Sequence, residues 1–221
     1  ANPYANLMHF SVQRMTSGEL WYYRYDSNRG YLRQILPDEN GTVLKADRII
    51  GVFRQPTFID KQVKMFVAVK SGAAYQLHTY TYEQKTSGSD IITYIGKKDI
   101  TSWAGGMSDD CTMFTNGIEV PLNYLYIAKG RDLWRTSYES QAAPQVVKSF
   151  PAPISAVEVV ITSPNRIDVD TKELYTAIFT YDAGAQTSKM YVLDARTDNL
   201  QAYSEVETAI PGKVVCFRAN Q

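Results

Sequence analysis

The stretch that decides the fold is "LYIAKGRDLWRTSYES", Leu125–Ser140. It alternates large and small residues, turns at Gly130, alternates again, and ends in an aromatic and an acid, Tyr138 and Glu139. Period-two alternation on both sides of a Gly turn predicts a β-hairpin. The same texture occurs three more times. "LMHFSVQRMTSGELWYYRYD" starts at Leu7, "VKMFVAVKSGAAYQLHTYTYE" at Val63 and "ELYTAIFTYDAGAQTSKMYVLDAR" at Glu173. Their first core residues, Leu7, Met65, Leu125 and Leu174, are spaced by 58, 60 and 49 residues. A hairpin recurring every 50–60 or so residues is a repeat on the scale of a propeller blade.

Outward from each hairpin the pattern extends. A third, shorter strand follows: "GYLRQIL", "DIITYIG", "QVVKSFP" and "LQAYSEV". A fourth apolar run then leads into the next hairpin: "RIIGVFR", "CTMFTN", "ISAVEVVIT" and, at the end, "GKVVCFRA". These last runs are short and rich in β-branched residues, as an innermost strand crowded on both faces would be. With that strand called A and the next three B, C and D, the chain reads BCD, three times A-BCD, then A. A closing A strand, 211–221, can complete the first BCD, which removes two open sheet edges. Convincing helical periodicity longer than two turns is absent. The fold class expected is all-β: a β-propeller of four four-stranded antiparallel blades, in one domain over 1–221. The blade-like units are 1–48, 49–108, 109–153 and 154–210. A β-sandwich is the alternative.

Composition excludes several functions. The 23 basic and 23 acidic side chains balance, so nothing in the charge argues for nucleic acid or an anionic membrane. Hydrophobic residues make up 44%, the level of a folded globular chain, and Tyr is over-used at 16 residues, which suits strands and wet interfaces. No apolar run approaches the roughly 20 residues needed to cross a bilayer as a helix. "ANPYANLMHF" lacks the build of a signal peptide. Cys111 and Cys216 fall in two A strands, too far apart across a ring for a disulfide, and are expected as free, buried thiols.

The strands and closing run that begin at "YLYIAKGRDLWRTSYE" continue with "AVEVVIT", "ELYTAIFTYDAGAQTSKMYVLDARTDNLQAYSEV" and "IPGKVVCFRA". Together they resemble the PKD-like family of surface lipoproteins from Bacteroidetes, over about residues 63–221. The resemblance implies a lipid-anchored N-terminus, immunoglobulin-like modules and a C-terminal propeller-like region. It implies an exported protein of an outer-membrane nutrient-uptake locus that binds a ligand or partner, without catalytic residues. The lipid-attachment cysteine and the preceding modules are not in this sequence, which reads as a C-terminal fragment or a short relative. The four units then either close alone or join a ring of six to eight blades.

Chemistry-bearing residues are sparse. The only histidines, His9 and His78, lie in a predicted B and a predicted C strand, without metal-like spacing, and are read as structural. "GxSxG" and the sialidase-type Ser-x-Asp-x-Gly-x-Thr-Trp repeat are absent. "GKKD", Gly96–Asp99, lacks the rest of a phosphate loop. "DVDTKE", Asp168–Glu173, lacks the Gly of a calcium loop and is read as a solvated turn. "NGT", Asn40–Thr42, is read as a turn rather than a glycosylation site. Trp21 and Trp134 occupy equivalent hairpin positions and are expected in the core. Trp103, in the Gly-rich "TSWAGGMSDD", is expected as an exposed loop aromatic that stacks on a sugar or anchors a partner. Asp109 and Asp110 precede an A strand, near where a propeller channel opens. Trp103, Asp109 and Asp110 are therefore the candidate ligand-binding residues, beside a plainer reading of the two acids as turn formers. No catalytic residue, metal or cofactor is assigned. The function expected is a non-catalytic cell-surface module that binds a glycan, a peptide or a partner outer-membrane protein. A glycoside hydrolase or lyase on the same ring and a purely structural domain are the alternatives.

Overall fold

The Leu125–Ser140 stretch forms the expected hairpin: Tyr124–Lys129 pairs antiparallel with Asp132–Ser137, Lys129 opposite Asp132, and Gly130 turns at a φ of 56°. That φ is the left-handed region, which costs glycine little. The computed structural model describes residues 8–26, 29–54, 62–115, 124–137, 140–162, 173–194 and 202–214. Among them it contains fifteen strands and one short 3-10 turn, Trp103–Gly105.

In chain order the strands are β1 Met8–Gln13, β2 Leu20–Asp26, β3 Gly30–Ile35, β4 Arg48–Arg54, β5 Gln62–Ser71, β6 Ala74–Glu83 and β7 Ile91–Asp99. They continue as β8 Thr112–Thr115, β9 Tyr124–Lys129, β10 Asp132–Ser137, β11 Gln145–Ser149, β12 Ile154–Thr162, β13 Glu173–Asp182, β14 Thr187–Asp194 and β15 Ala202–Pro211. They make four antiparallel meanders: β1-β2-β3, β4 to β7, β8 to β11 and β12 to β15. The chain is thus an all-β protein built of four antiparallel, blade-like sheets. The A-B-C-D order holds in each four-stranded sheet. Of the expected closing A strand, 211–221, only 211–214 are described: Pro211 still belongs to β15, and Val214 N donates to Ser188 Oγ at 3.2 Å. The rest of it, its pairing with Leu7–Phe10, Cys216 and most of Asp168–Glu173 lie outside the described residues.

Two expectations are corrected. The D strands are not uniformly short: β7 has 9 residues and β15 has 10. The strands buried on both faces are B strands, not A strands. Met65–Val69 of β5, Leu125–Ala128 of β9 and Thr176–Thr180 of β13 are all buried, whereas Ile49–Val52 of β4 are half-buried. In β5, Met65, Val67 and Val69 enter the core cluster on one face, while Phe66 and Ala68 on the other are also buried at 0% exposure.

By compactness the chain divides into Ala1–Ser102, with the first two sheets, and Trp103–Gln221, with the last two. Alternation builds each core. In the first unit Leu20 and Tyr22, Met65, Val67 and Val69, and Tyr80 and Tyr82 send every second side chain into one cluster. In the second, Tyr126 and Ala128 meet Ile178, Tyr191 and Leu193, with Phe114 stacked on Tyr126 at 5.2 Å. A buried ion pair fastens the sheets of the first unit. Arg24 of β2 donates through Nε (2.6 Å) and Nη2 (2.8 Å) to the Asp90 carboxylate, which also accepts from Tyr82 Oη and Lys85 N, each at 2.9 Å. Trp21 and Trp134 are half-buried rather than core residues: Leu20 and Leu133 beside them take the inward positions, at 0% and 1% exposure. Trp21 instead lies under the Arg33 guanidinium, 4.6 Å from the ring centre.

Candidate functional site

Trp103 does not present its ring to solvent. It is 3% exposed, within a turn whose next three residues, Ala104, Gly105 and Gly106, have φ of 51°, 70° and 104°. This left-handed run folds the loop back, and the Ala104 and Gly106 carbonyls accept from Lys129 Nζ, the former at 3.2 Å. The expectation of an exposed stacking aromatic is thereby corrected: an indole's large apolar area is buried wherever the chain can turn over it. Asp109 and Asp110 are exposed, in a turn closed by Cys111 N to Ser108 O at 3.1 Å, and Ser108 Oγ donates to Asp110 at 2.5 Å. That is the turn-forming use of Asp. Cys111 is a free, buried thiol. Among the described residues no group of three or more His, Cys, Asp or Glu is placed to hold a metal.

The first unit carries a better site, a polar cleft of about 290 Å³. One wall is the turn between β3 and β4. Asp38 Oδ1 accepts from Asn40 N and Thr42 N, both at 2.9 Å, and Oδ2 accepts from Thr42 Oγ1 at 2.8 Å. The Thr42 hydroxyl and the two amides hold the Asp38 carboxyl below its ordinary pKa. Gly41 supplies a φ of 74° that closes the turn. The "NGT" stretch is thus the turn the sequence suggested, built around Asp38.

The opposite wall is β6 and β7. Gln76 and His78 share a face of β6 by alternation, and Tyr94 and Lys97 of β7 line the same cleft. Three residues apart on a regular strand, Tyr94 and Lys97 would point to opposite faces. A bulge prevents this: Thr79 pairs with Gly96 and Tyr80 with Tyr94, so Ile95 is left over. The extra residue re-aims the strand and brings both side chains to one side. Lys97 Nζ reaches across to Glu39 at 3.1 Å, an exposed pair.

At the floor, His78 is 3% exposed. Its Nε2 lies 3.3 Å from Gln76 Oε1, and Nδ1 has no hydrogen-bond partner. With Nε2–H donating to Gln76, Nδ1 is a bare acceptor. Burial, then the Lys97 charge, lowers the His78 pKa to about 4, outweighing Glu39 and Asp38. The imidazole is neutral at physiological pH. The Tyr94 ring lies 6.1 Å from it and 5.7 Å edge-on from Tyr80. Burial raises both phenol pKa values, and the Tyr80 hydroxyl is also buried without a partner.

The cleft therefore offers an acceptor at Nδ1, ammonium donors at Lys45 and Lys97, and an aromatic ring, with its two acids and two lysines in balance. It gathers three features that the sequence reading set aside one by one: "NGT", His78 and "GKKD". The reading missed Asp38, Glu39, Lys45, Gln76 and Tyr94. A usable signal was present, since Gln76 and His78 share the β6 face with the core residues Tyr80 and Tyr82.

No family model matches the chain, and no curated protein matches it. Solved structures similar to it include the cobalt-substituted apocarotenoid oxygenase of Synechocystis, at 13% identity and TM-score 0.39, over 94% of this chain and 59% of that one. A point mutant of the same oxygenase matches at 13% and 0.36, over 95% and 63%. The chain spans about three-fifths of the length of these structures. A likeness at this distance assigns neither a residue nor an activity.

Proposed function

We propose that the chain is a non-catalytic binding module of the cell surface, part of a nutrient-uptake system, and that it holds a glycan in the cleft between the Asp38–Thr42 turn and β6–β7. The observation that carries this reading is the polar floor: His78 Nδ1, buried and unpartnered, in a cleft with charge balance and one aromatic. A neutral, polyhydroxylated ligand supplies the donor that Nδ1 lacks, answers the ammonium groups with acceptors, and covers Tyr94 with a sugar face. Glycoside hydrolysis needs a carboxyl kept protonated as general acid. In this cleft Asp38 is driven the other way and Glu39 is paired with Lys97, which favours binding over turnover. The cell-surface setting rests on the sequence resemblance to PKD-like lipoproteins.

A glycan array probed with the labelled chain tests the reading, beside a peptide array and an assay for new reducing ends. Expected are glycan signals without turnover, and a drop of roughly tenfold in affinity for Tyr94→Ala, the size of one lost stacking contact. Binding confined to peptides, or cleavage of a glycan, would contradict it.

A further inference from the structure

A second cleft, of about 470 Å³, lies in the same unit, lined among others by Gln13, Met15, Thr16, Ser17 and Ser71. Lys45 lines both clefts. It stands on a fixed ridge. Leu44 and Ala46 on either side are buried at 5% and 8%, so alternation turns Lys45 outward. Backbone hydrogen bonds pin the ridge: Leu44 N to Leu36 O at 2.7 Å, Leu20 N to Leu44 O at 2.9 Å and Ala46 N to Gly18 O at 3.0 Å. The second cleft is equally preformed. The Gln13 amide donates to Ala46 O at 2.5 Å and accepts from Ile49 N at 3.3 Å, and Asp47 accepts from Gly72 N at 2.6 Å. Its lining also holds a buried hydroxyl without a partner, Ser17 Oγ.

Ligand sites usually enclose roughly 300–1,000 Å³. The first cleft alone, at about 290 Å³, falls just short of that range, and the two joined over Lys45 lie well within it. We infer that the two clefts are subsites of one groove, and that the ligand is an oligosaccharide chain laid across Lys45. This rests on the glycan reading above and adds to it a chain length and a direction. The hydroxyls and amide of the second cleft suit successive sugar units. Lys45 meets the linkage region as a cation with no ion-pair partner among the described residues.

The experiment is calorimetric titration of the full chain with the mono-, di-, tetra- and hexasaccharide members of the array-positive series. Affinity is expected to rise by about ten- to a hundredfold from monosaccharide to tetrasaccharide as the second subsite fills, then level off. In Thr16→Tyr, a change at an exposed position that fills the second cleft, the tetrasaccharide should bind no more tightly than the disaccharide. Equal affinity at every length, or an unaltered length series in Thr16→Tyr, would overturn the groove while leaving the glycan reading in place. Absence of binding by every member would overturn both.

Discussion

His78 sets the character of the cleft because it is buried while neutral. Its pKa falls from 6.5 to about 4 on folding, first through burial and then through Lys97. Between those values the unfolded chain binds a proton that the folded chain refuses. The contribution is therefore complete above pH 6.5 and fades as pH falls toward 4. After a discount for water reaching an open cleft, the loss is on the order of 2 kcal/mol. Urea denaturation followed across that range should show stability declining on acidification, with a shallower decline in His78→Phe. Identical slopes would mean that His78 is solvated. The sequence placed His78 correctly in a C strand and read it as structural, because a lone histidine says nothing of what faces it. What faces it is a turn that begins 40 residues earlier, at Asp38. The two acids that the sequence favours instead, Asp109 and Asp110, stand just before an A strand, where a propeller channel would open, and the Ser108–Asp110 bond holds Asp110 within a turn.

The elements were the most legible level, since their signals are local. The β5–β6 register, running from Gln62 opposite Glu83 to Ser71 opposite Ala74, follows from alternation and the intervening turn at Gly72. The β7 bulge left no sequence trace, since Thr93, Ile95 and Lys97 alternate as though the strand were regular. The ionic fastening of the first two sheets was equally hidden, because Arg24 and Asp90 are 66 residues apart. That pair carries the strongest stability prediction. Arg24 and Asp90 side chains are 1% and 2% exposed, so Asp90→Asn strands a buried guanidinium at a cost of about 3–5 kcal/mol. Lys97→Ala breaks a pair whose side chains are 42% and 55% exposed and should cost less than about 1 kcal/mol. Denaturation midpoints of the two variants should differ accordingly. Equal shifts would show that the Arg24 charge finds water.

At the scale of the molecule, a repeat is what made the fold readable. Four hairpins with the same neighbours announce blades even though no residue motif is shared among them. The same repetition conceals function, because a site arises where the repeats differ. The Asp38–Thr42 turn is such a departure, whereas a register shift in the last strand recurs in β7, β11 and β15, and that turn alone has no catalytic or metal-binding signature. A balanced net charge points the same way, toward a neutral ligand held by hydrogen bonds and one ring. The central claim is that this ligand lies between that turn and β6–β7. The most direct measurement is amide chemical-shift mapping of the isotope-labelled chain as an array-positive tetrasaccharide is titrated in. The account predicts the largest shifts at Asn40–Lys45, Gln76–Thr79 and Tyr94–Lys97. Shifts centred instead on Ser108–Cys111 and Trp103 would contradict it.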